Sequence, residues 1–122
     1  GQENADILCG MLESVVENGL GKDAQPQHGR AAGKTGTAQT GTYNEAGEEL
    51  MNYWFAGFWP AEQPRYTIVV MQDGVPEPAV SCGEIFAQIC EALYWLEPGE
   101  YTALENAETA ASQAENGVDN NA

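Results

Sequence analysis

Residues 29–41 read GRAAGKTGTAQTG and hold Arg30 and Lys34, two of only four basic residues in a chain with nineteen acidic ones. A cation followed by Thr35, Gly36 and Thr37 offers positive charge, two hydroxyl donors and a backbone that a ligand can approach closely, which is the chemistry of an anion site. A nucleotide phosphate loop is the first pattern to test. It requires Gly, four residues, then Gly-Lys-[Ser/Thr], because its length sets how the backbone wraps the phosphate. Counting back from Gly33-Lys34-Thr35, the first glycine belongs at the position of His28, and Gly29 stands one place too close. The lysine of such a loop also opens a helix, whereas TGTAQTGTY has the Thr and Gly content of a strand or turn. Nucleotide binding is disfavoured on both counts. Taken alone, the stretch also reads as a Gly/Thr-rich edge strand with a solvated lysine.

The rest of the composition narrows the partners. The formal charge is 4 − 19 = −15, so most of the surface repels nucleic acid and anionic lipid. An anionic small ligand needs local cations and oriented N–H groups to outweigh that field, and this requirement points back to Arg30 and Lys34. No stretch approaches the ~18–20 consecutive apolar residues of a membrane span, and no signal sequence opens the chain, so the material is expected to be soluble. It begins at Gly1 without an initiator Met, which points to a processed or excised piece and leaves a parent's anchor open. Cys9, Cys82 and Cys90 form no C-x-x-C pair and His28 is not at ligand spacing from them, so no metal and no cofactor is expected. Cys82 and Cys90 fall ~12 Å apart along one helix, too far for a disulfide; only a bridge from Cys9 is geometrically open, beside three idle thiols.

The elements that must position residues 29–41 follow from periodicity. Ile7, Leu8, Met11, Leu12, Val15 and Val16 recur at helical spacing and predict a helix over about 4–18, with Gly19 as its left-handed stop. Residues 30–40, MNYWFAGFW from 51 and RYTIVVMQ from 65 predict three strands, about 30–40, 51–59 and 65–72. Their short links favour antiparallel pairing in a meander. Ser81 and Glu84 form a capping box ahead of a helix over about 82–96, stopped by Pro98-Gly99 and faced with Ile85, Phe86, Ile89, Leu93 and Leu96. Trp54, Phe58, Trp59 and Trp95 are read as core. From residue 100 to 122 the chain turns to Ala, Glu, Asn, Thr and Gln without Lys or Arg. An acidic, disordered tail is expected there, with a helix as the alternative because Ala and Glu favour one. The fold class is α+β, with a domain over 1–99 and a tail over 100–122.

These ordered segments carry a resemblance. AAGKTGTAQTG is similar to the Lys-Thr-Gly motif of penicillin-binding proteins and serine β-lactamases in its extended transpeptidase form. The helix ADILCGMLESVVENGLGKDAQP before it, then YWFAGFWP, RYTIVVMQDG and GEIFAQICEAL after it, resemble in order the C-terminal part of a high-molecular-weight, class B-like transpeptidase domain over roughly residues 3–97. The resemblance implies a partial β-lactamase/transpeptidase-like fold and a substrate that is a peptidoglycan stem peptide ending in D-Ala-D-Ala, or a β-lactam mimicking it. It implies that Lys34 supplies positive charge, that Thr35 and Thr37 place hydroxyls near the substrate carboxylate, that Gly36 leaves the strand edge unobstructed, and that the Thr37 N–H is an oxyanion-hole donor. A β-lactamase parent is the runner-up within the family, and a non-catalytic binding or scaffold module on the same sheet is the alternative outside it.

One part of the family pattern is missing. The serines Ser14, Ser81 and Ser112 begin SVVE, SCGE and SQAE, so no Ser-x-x-Lys nucleophile motif occurs in the chain. The triplet TYN at 42–44 has a faint likeness to the family's second motif but lies on the wrong side of Lys34. Without a nucleophile no covalent acyl-enzyme forms, so the chain alone is expected to be inactive. The resemblance further implies a parent anchored in the cytoplasmic membrane with this domain outside. It also implies a lost neighbour strand beside 65–72, whose bare edge would invite self-association.

Overall fold

In a computed structural model, the description covers residues 1–118, apart from the side chains of 102–105, 108 and 118. Contacts divide the chain into two compact units, Gly1–Glu91 and Ala92–Ala122. The first holds helix α1 (Gln2–Glu17), a 3-10 turn (Lys22–Ala24), strands β1 (Ala32–Tyr43), β2 (Glu49–Trp59) and β3 (Tyr66–Val75), and most of helix α2 (Cys82–Leu96). The second holds the end of α2 and helix α3 (Pro98–Val118). The strands form one antiparallel sheet in the order β1-β2-β3, the expected α+β meander.

The sheet buries one face. Along β2, residues 54–57 alternate exposed, buried, exposed, buried. Phe55 and Trp59 are fully buried, and the Phe55 ring meets Phe86 of α2 at 4.7 Å between centroids. Each such side chain contributes about 1.5–3 kcal/mol of burial, so this pair of layers is the centre of the core. Glycine makes the layer possible: a Cβ on Gly57 would lie 2.5 Å from the Ala32 carbonyl oxygen, and one on Gly33 would lie 2.6 Å from Phe55 Cζ. The capping box forms as expected, with the Ser81 N–H donating to Glu84 Oε2 at 2.9 Å and the Glu84 N–H to Ser81 Oγ at 3.0 Å.

The opposite face of the sheet is bare from Lys34, Trp54 and Ala56 across to Val69 and Met71, with Ala32 buried and Phe58 half-buried at its end, and this corrects two expectations. Trp54 on that face is 39% exposed and Trp95 in the second unit 67%, so neither is core, whereas Trp59 is. On α1 only Val16 is buried, Leu12 and Val15 are half-buried, and Ile7, Leu8 and Met11 are exposed, so the predicted stripe is covered only in its C-terminal half. Gly19 does stop α1, though by a different device. Its φ is not positive; its N–H and that of Gly21 both donate to the Val15 carbonyl, and a Cβ at residue 19 would sit 2.9 Å from that oxygen.

The expected disordered tail is helical as far as it is described, and its last four residues lie outside the described ones. Pro98 fits the first position of α3, where a missing N–H costs nothing, and Glu100 sits at the positive end of the helix dipole. Ala, Glu and Gln then lower the cost of each helical residue even without a strong apolar stripe. Within the same unit the Tyr94 and Tyr101 rings pack at 5.7 Å between centroids. No helix of the described residues is long and apolar enough to cross a membrane.

Candidate functional site

Lys34, Thr35, Gly36 and Thr37 lie in the regular part of β1, paired in register with Ala56, Phe55, Trp54 and Tyr53 of β2. β1 is an outer strand of the sheet, so its other edge has no strand neighbour among the described residues. A lysine inside a strand is incompatible with a phosphate loop, whose lysine begins a helix. Past these residues the register shifts between Gln39 and Thr42, where Gly41 adopts φ +70, and the hairpin closes through Asn44, whose Oδ1 accepts from the Ala46 and Glu48 N–H groups.

Strand alternation separates the four side chains. Lys34 and Gly36 share the bare face with Trp54 and Ala56. Thr35 and Thr37 share the other face with Phe55 and Tyr53. Lys34 is exposed, and its Nζ donates to the Thr35 carbonyl at 3.2 Å. Thr35, Gly36 and Thr37 line a cleft of about 130 Å³ together with Asp23, Ser81 and Gly83. An anion placed along the β1 edge therefore meets the ammonium from one side of the sheet and the hydroxyls from the other.

The second cation of the motif does different work. Arg30 Nη1 lies 3.0 Å from Glu13 of α1, while its Nε and its backbone N–H each donate to Glu62 Oε1 at 2.9 Å. It ties α1 to the turn between β2 and β3, so Lys34 is the cation left at the strand edge. The neighbouring His28 is also structural. Glu91 of α2 accepts from its backbone N–H at 2.8 Å and contacts its Nδ1 at 2.9 Å, and the His28 carbonyl accepts from Trp59 Nε1 at 2.9 Å. Among the described residues, no group of three His, Cys, Asp or Glu is placed to hold a metal ion.

Ser81 is the only serine near the cleft among the described residues, and its hydroxyl caps α2 and donates to Asp23. Among the described residues, no lysine or histidine is given a hydrogen bond to it that would make it a base. Asp23 and Gly83 had no signal in the sequence as cleft residues. They meet because a side chain at residue 83 would clash with Asp23 Oδ1 at 2.5 Å, a long-range fit that local pattern does not encode. The three cysteines are free, so the Cys9 bridge left open by the sequence does not form. Burial pushes the Cys90 thiol up to about 12 from 9.0, with the Glu91 charge adding to the shift, and so keeps it neutral.

Residues 2–91 match the penicillin binding protein transpeptidase domain. The chain is 34% identical over 113 residues to penicillin-binding protein PbpB of Mycolicibacterium smegmatis, covering 77% of this chain and 16% of that protein. It is 37% identical over 73 residues to a peptidoglycan D,D-transpeptidase FtsI homolog of Chlorokybus atmophyticus, covering 58% of this chain and 11% of that one. In three dimensions it is similar to penicillin binding protein 3 of Mycobacterium tuberculosis complexed with ampicillin, with TM-score 0.57 and 31% identity over 75% of this chain and 24% of that one. The same protein is matched in its aztreonam complex, with TM-score 0.59 and 31% identity over 73% of this chain and 23% of that one. The chain thus spans less than a quarter of the length of each of these relatives.

Proposed function

We propose that this chain, which belongs to the penicillin binding protein transpeptidase domain family, forms one wall of the active site of a serine D,D-transpeptidase. The intact parent would cross-link peptidoglycan stem peptides ending in acyl-D-Ala-D-Ala and be acylated by β-lactams. The observation that carries this reading is the placement of Lys34-Thr35-Gly36-Thr37 on an unpaired strand edge within the segment that matches the family. The D,D-transpeptidase relative and the ampicillin and aztreonam complexes of the similar protein support the substrate class.

Each residue then has a role in acyl transfer. Substrate and β-lactam both present a carboxylate, and the Lys34 ammonium supplies the charge that attracts it. The Thr35 and Thr37 hydroxyls donate to the carboxylate, with charge-assisted hydrogen bonds about twice as strong as neutral ones. Gly36 keeps the edge clear of side-chain atoms so that the ligand runs beside the strand. The Thr37 N–H donates to the oxyanion that develops as the carbonyl is attacked, where such a donor is worth about 3 kcal/mol of transition-state stabilisation.

The attacking serine comes from the remainder of the parent domain, since none of Ser14, Ser81 and Ser112 is followed by lysine at the third position after it. The parent is anchored in the bacterial cytoplasmic membrane with this domain outside. In the isolated chain, the outer edge of β3 is open to a second copy. A fluorescent penicillin tests the assignment. The isolated chain should take no covalent label, and a polypeptide joining it to the upstream transpeptidase region should label. In that polypeptide Lys34→Ala should slow acylation by roughly 10²–10³-fold, the usual cost of one electrostatic group. Covalent labelling of the isolated chain, or an unchanged rate in Lys34→Ala, would refute the reading.

A further inference from the structure

Thr37 of β1, Tyr53 of β2 and Gln72 of β3 form one row across the sheet, with Thr37 opposite Tyr53 in one ladder and Tyr53 opposite Gln72 in the other. The row spans about 10 Å, two inter-strand spacings. It lies where regular pairing ends. The β2–β3 ladder shifts between Met51 and Tyr53, and the β1–β2 ladder shifts between Gln39 and Thr42, just past Thr37. Beside these irregularities, further bonds reach the row from the connection between β3 and α2. The Gln72 side-chain amide donates to the Val80 carbonyl at 2.9 Å and to Cys82 Sγ at 3.5 Å. The Cys82 thiol donates in turn to the Tyr53 carbonyl at 3.3 Å, and the Tyr53 hydroxyl donates to the Pro76 carbonyl at 2.9 Å. Cys82 is buried and Gln72 half-buried, so these linked bonds polarise one another away from bulk water.

We propose that Gln72 is a positioning residue for the Thr37 N–H, an inference that rests on the reading of that N–H as an oxyanion donor. β2 is the only strand paired with β1 among the described residues, so the place of Thr37 follows the place of Tyr53. The start of α2 holds Tyr53 through the Cys82 thiol, and Gln72 ties that start to β3. Remove the amide donors and the first turn of α2 drifts from the sheet, carrying the Tyr53 carbonyl and then Thr37 with it. A catalytic donor has to be held within about 0.5 Å of its productive place. Lys34 and Thr35 pair with Ala56 and Phe55 inside the regular ladder and do not depend on the row. Gln72 therefore acts on the oxyanion and not on the capture of the carboxylate.

In the polypeptide joining this chain to the upstream transpeptidase region, the labelling rate at rising fluorescent penicillin concentration separates Kd from the acylation rate constant. Gln72→Met keeps the side-chain length and removes the donor; it should lower the rate constant about tenfold, part of the 10²–10³-fold cost of a whole donor, with Kd changed less than about twofold. Gln72→Glu keeps the shape but sets an acceptor against the Val80 carbonyl, and it should be at least as slow. Tyr53→Phe loses only the bond to Pro76 and should slow acylation by about two- to threefold. It decides the matter if circular dichroism shows the Gln72 variants unfolded. A merely structural role would lower the yield of labelled protein and leave the rate constant of the folded fraction unchanged, which would overturn the proposal. A weaker Kd at an unchanged rate constant would overturn it too. Lys34→Ala in the same polypeptide keeps the two failures apart: if it is slow while the Gln72 and Tyr53 variants are normal, only the positioning role falls, and if it too is normal, the active-site reading falls with it.

Discussion

Gly57 and Gly36 lie on β2 and β1 of the same sheet, yet a methyl group added to each should act in opposite directions. A Cβ on Gly57 would lie 2.5 Å from the Ala32 carbonyl oxygen, 2.9 Å from Phe55 Cε1 and 3.1 Å from Phe86 Cε2. Two of those neighbours are packed rings and the third is backbone, so relief requires moving β1 from β2 or the Phe55 ring from Phe86. Overpacking of this kind costs about 1–3 kcal/mol, against a gain of roughly 0.4–1 kcal/mol from restricting the unfolded chain. A Cβ on Gly36 would meet nothing nearer than Trp54 Cβ at 3.6 Å, and the φ of Gly36 is not positive. Only the entropic gain applies there. With a urea m-value near ~2 kcal/mol/M, Gly57→Ala should lower the midpoint of tryptophan-monitored unfolding by roughly 0.5–1 M. Gly36→Ala should leave it unchanged or raise it slightly. In the acylation-competent polypeptide, the proposed binding along the β1 edge predicts that Gly36→Ala nonetheless slows β-lactam acylation, because the methyl would stand beside the proposed path of the ligand. Equal midpoints for the two variants would refute the close-packing argument. A stable Gly36→Ala variant with full acylation would refute the edge-binding one.

A thiol reagent should modify Cys9 in the folded chain and reach Cys82 and Cys90 only on unfolding, as their burial requires; rapid native labelling of all three would contradict the packing. The folded Cys90 thiol lies above its ordinary value, so its contribution to stability is complete below pH 9.0 and is lost as the pH rises towards about 12. The urea midpoint should fall across that window, and less steeply in Cys90→Ala. Ser81→Ala removes the α2 cap and the hydrogen bond to Asp23 and should cost about 0.5–2 kcal/mol. In the acylating polypeptide it should leave penicillin labelling intact, and loss of labelling would make Ser81 more than a cap.

Local pattern in the sequence determined the inventory of elements. Runs dense in aromatic and β-branched residues marked β2 and β3, the Ser81–Glu84 box marked the start of α2 at its observed residue, and the Gly and Thr content of residues 30–40 marked a strand and, with the glycine spacing, disfavoured a phosphate loop. The absence of a Ser-x-x-Lys run was equally legible. These signals lie within one or two turns of chain, so they survive without knowledge of neighbours. The α3 helix is a local signal too: Ala and Glu favour helix along 98–118 even where a strong apolar stripe is missing.

Tertiary structure alone decided which half of each amphipathic element is used. Ile7, Leu8 and Met11 have the period of a buried stripe yet stay exposed, while burial on α1 is complete only at Val16. Trp54 and Trp59 read alike in sequence and part company because α2 covers one face of the sheet. Charge alone pointed to both Arg30 and Lys34, and Glu13 and Glu62, distant in sequence, hold the arginine. The separation of the Lys34 ammonium from the Thr35 and Thr37 hydroxyls onto opposite faces follows from strand alternation. That both can serve one ligand depends on β1 being an outer strand, a property fixed by the order in which distant segments pair.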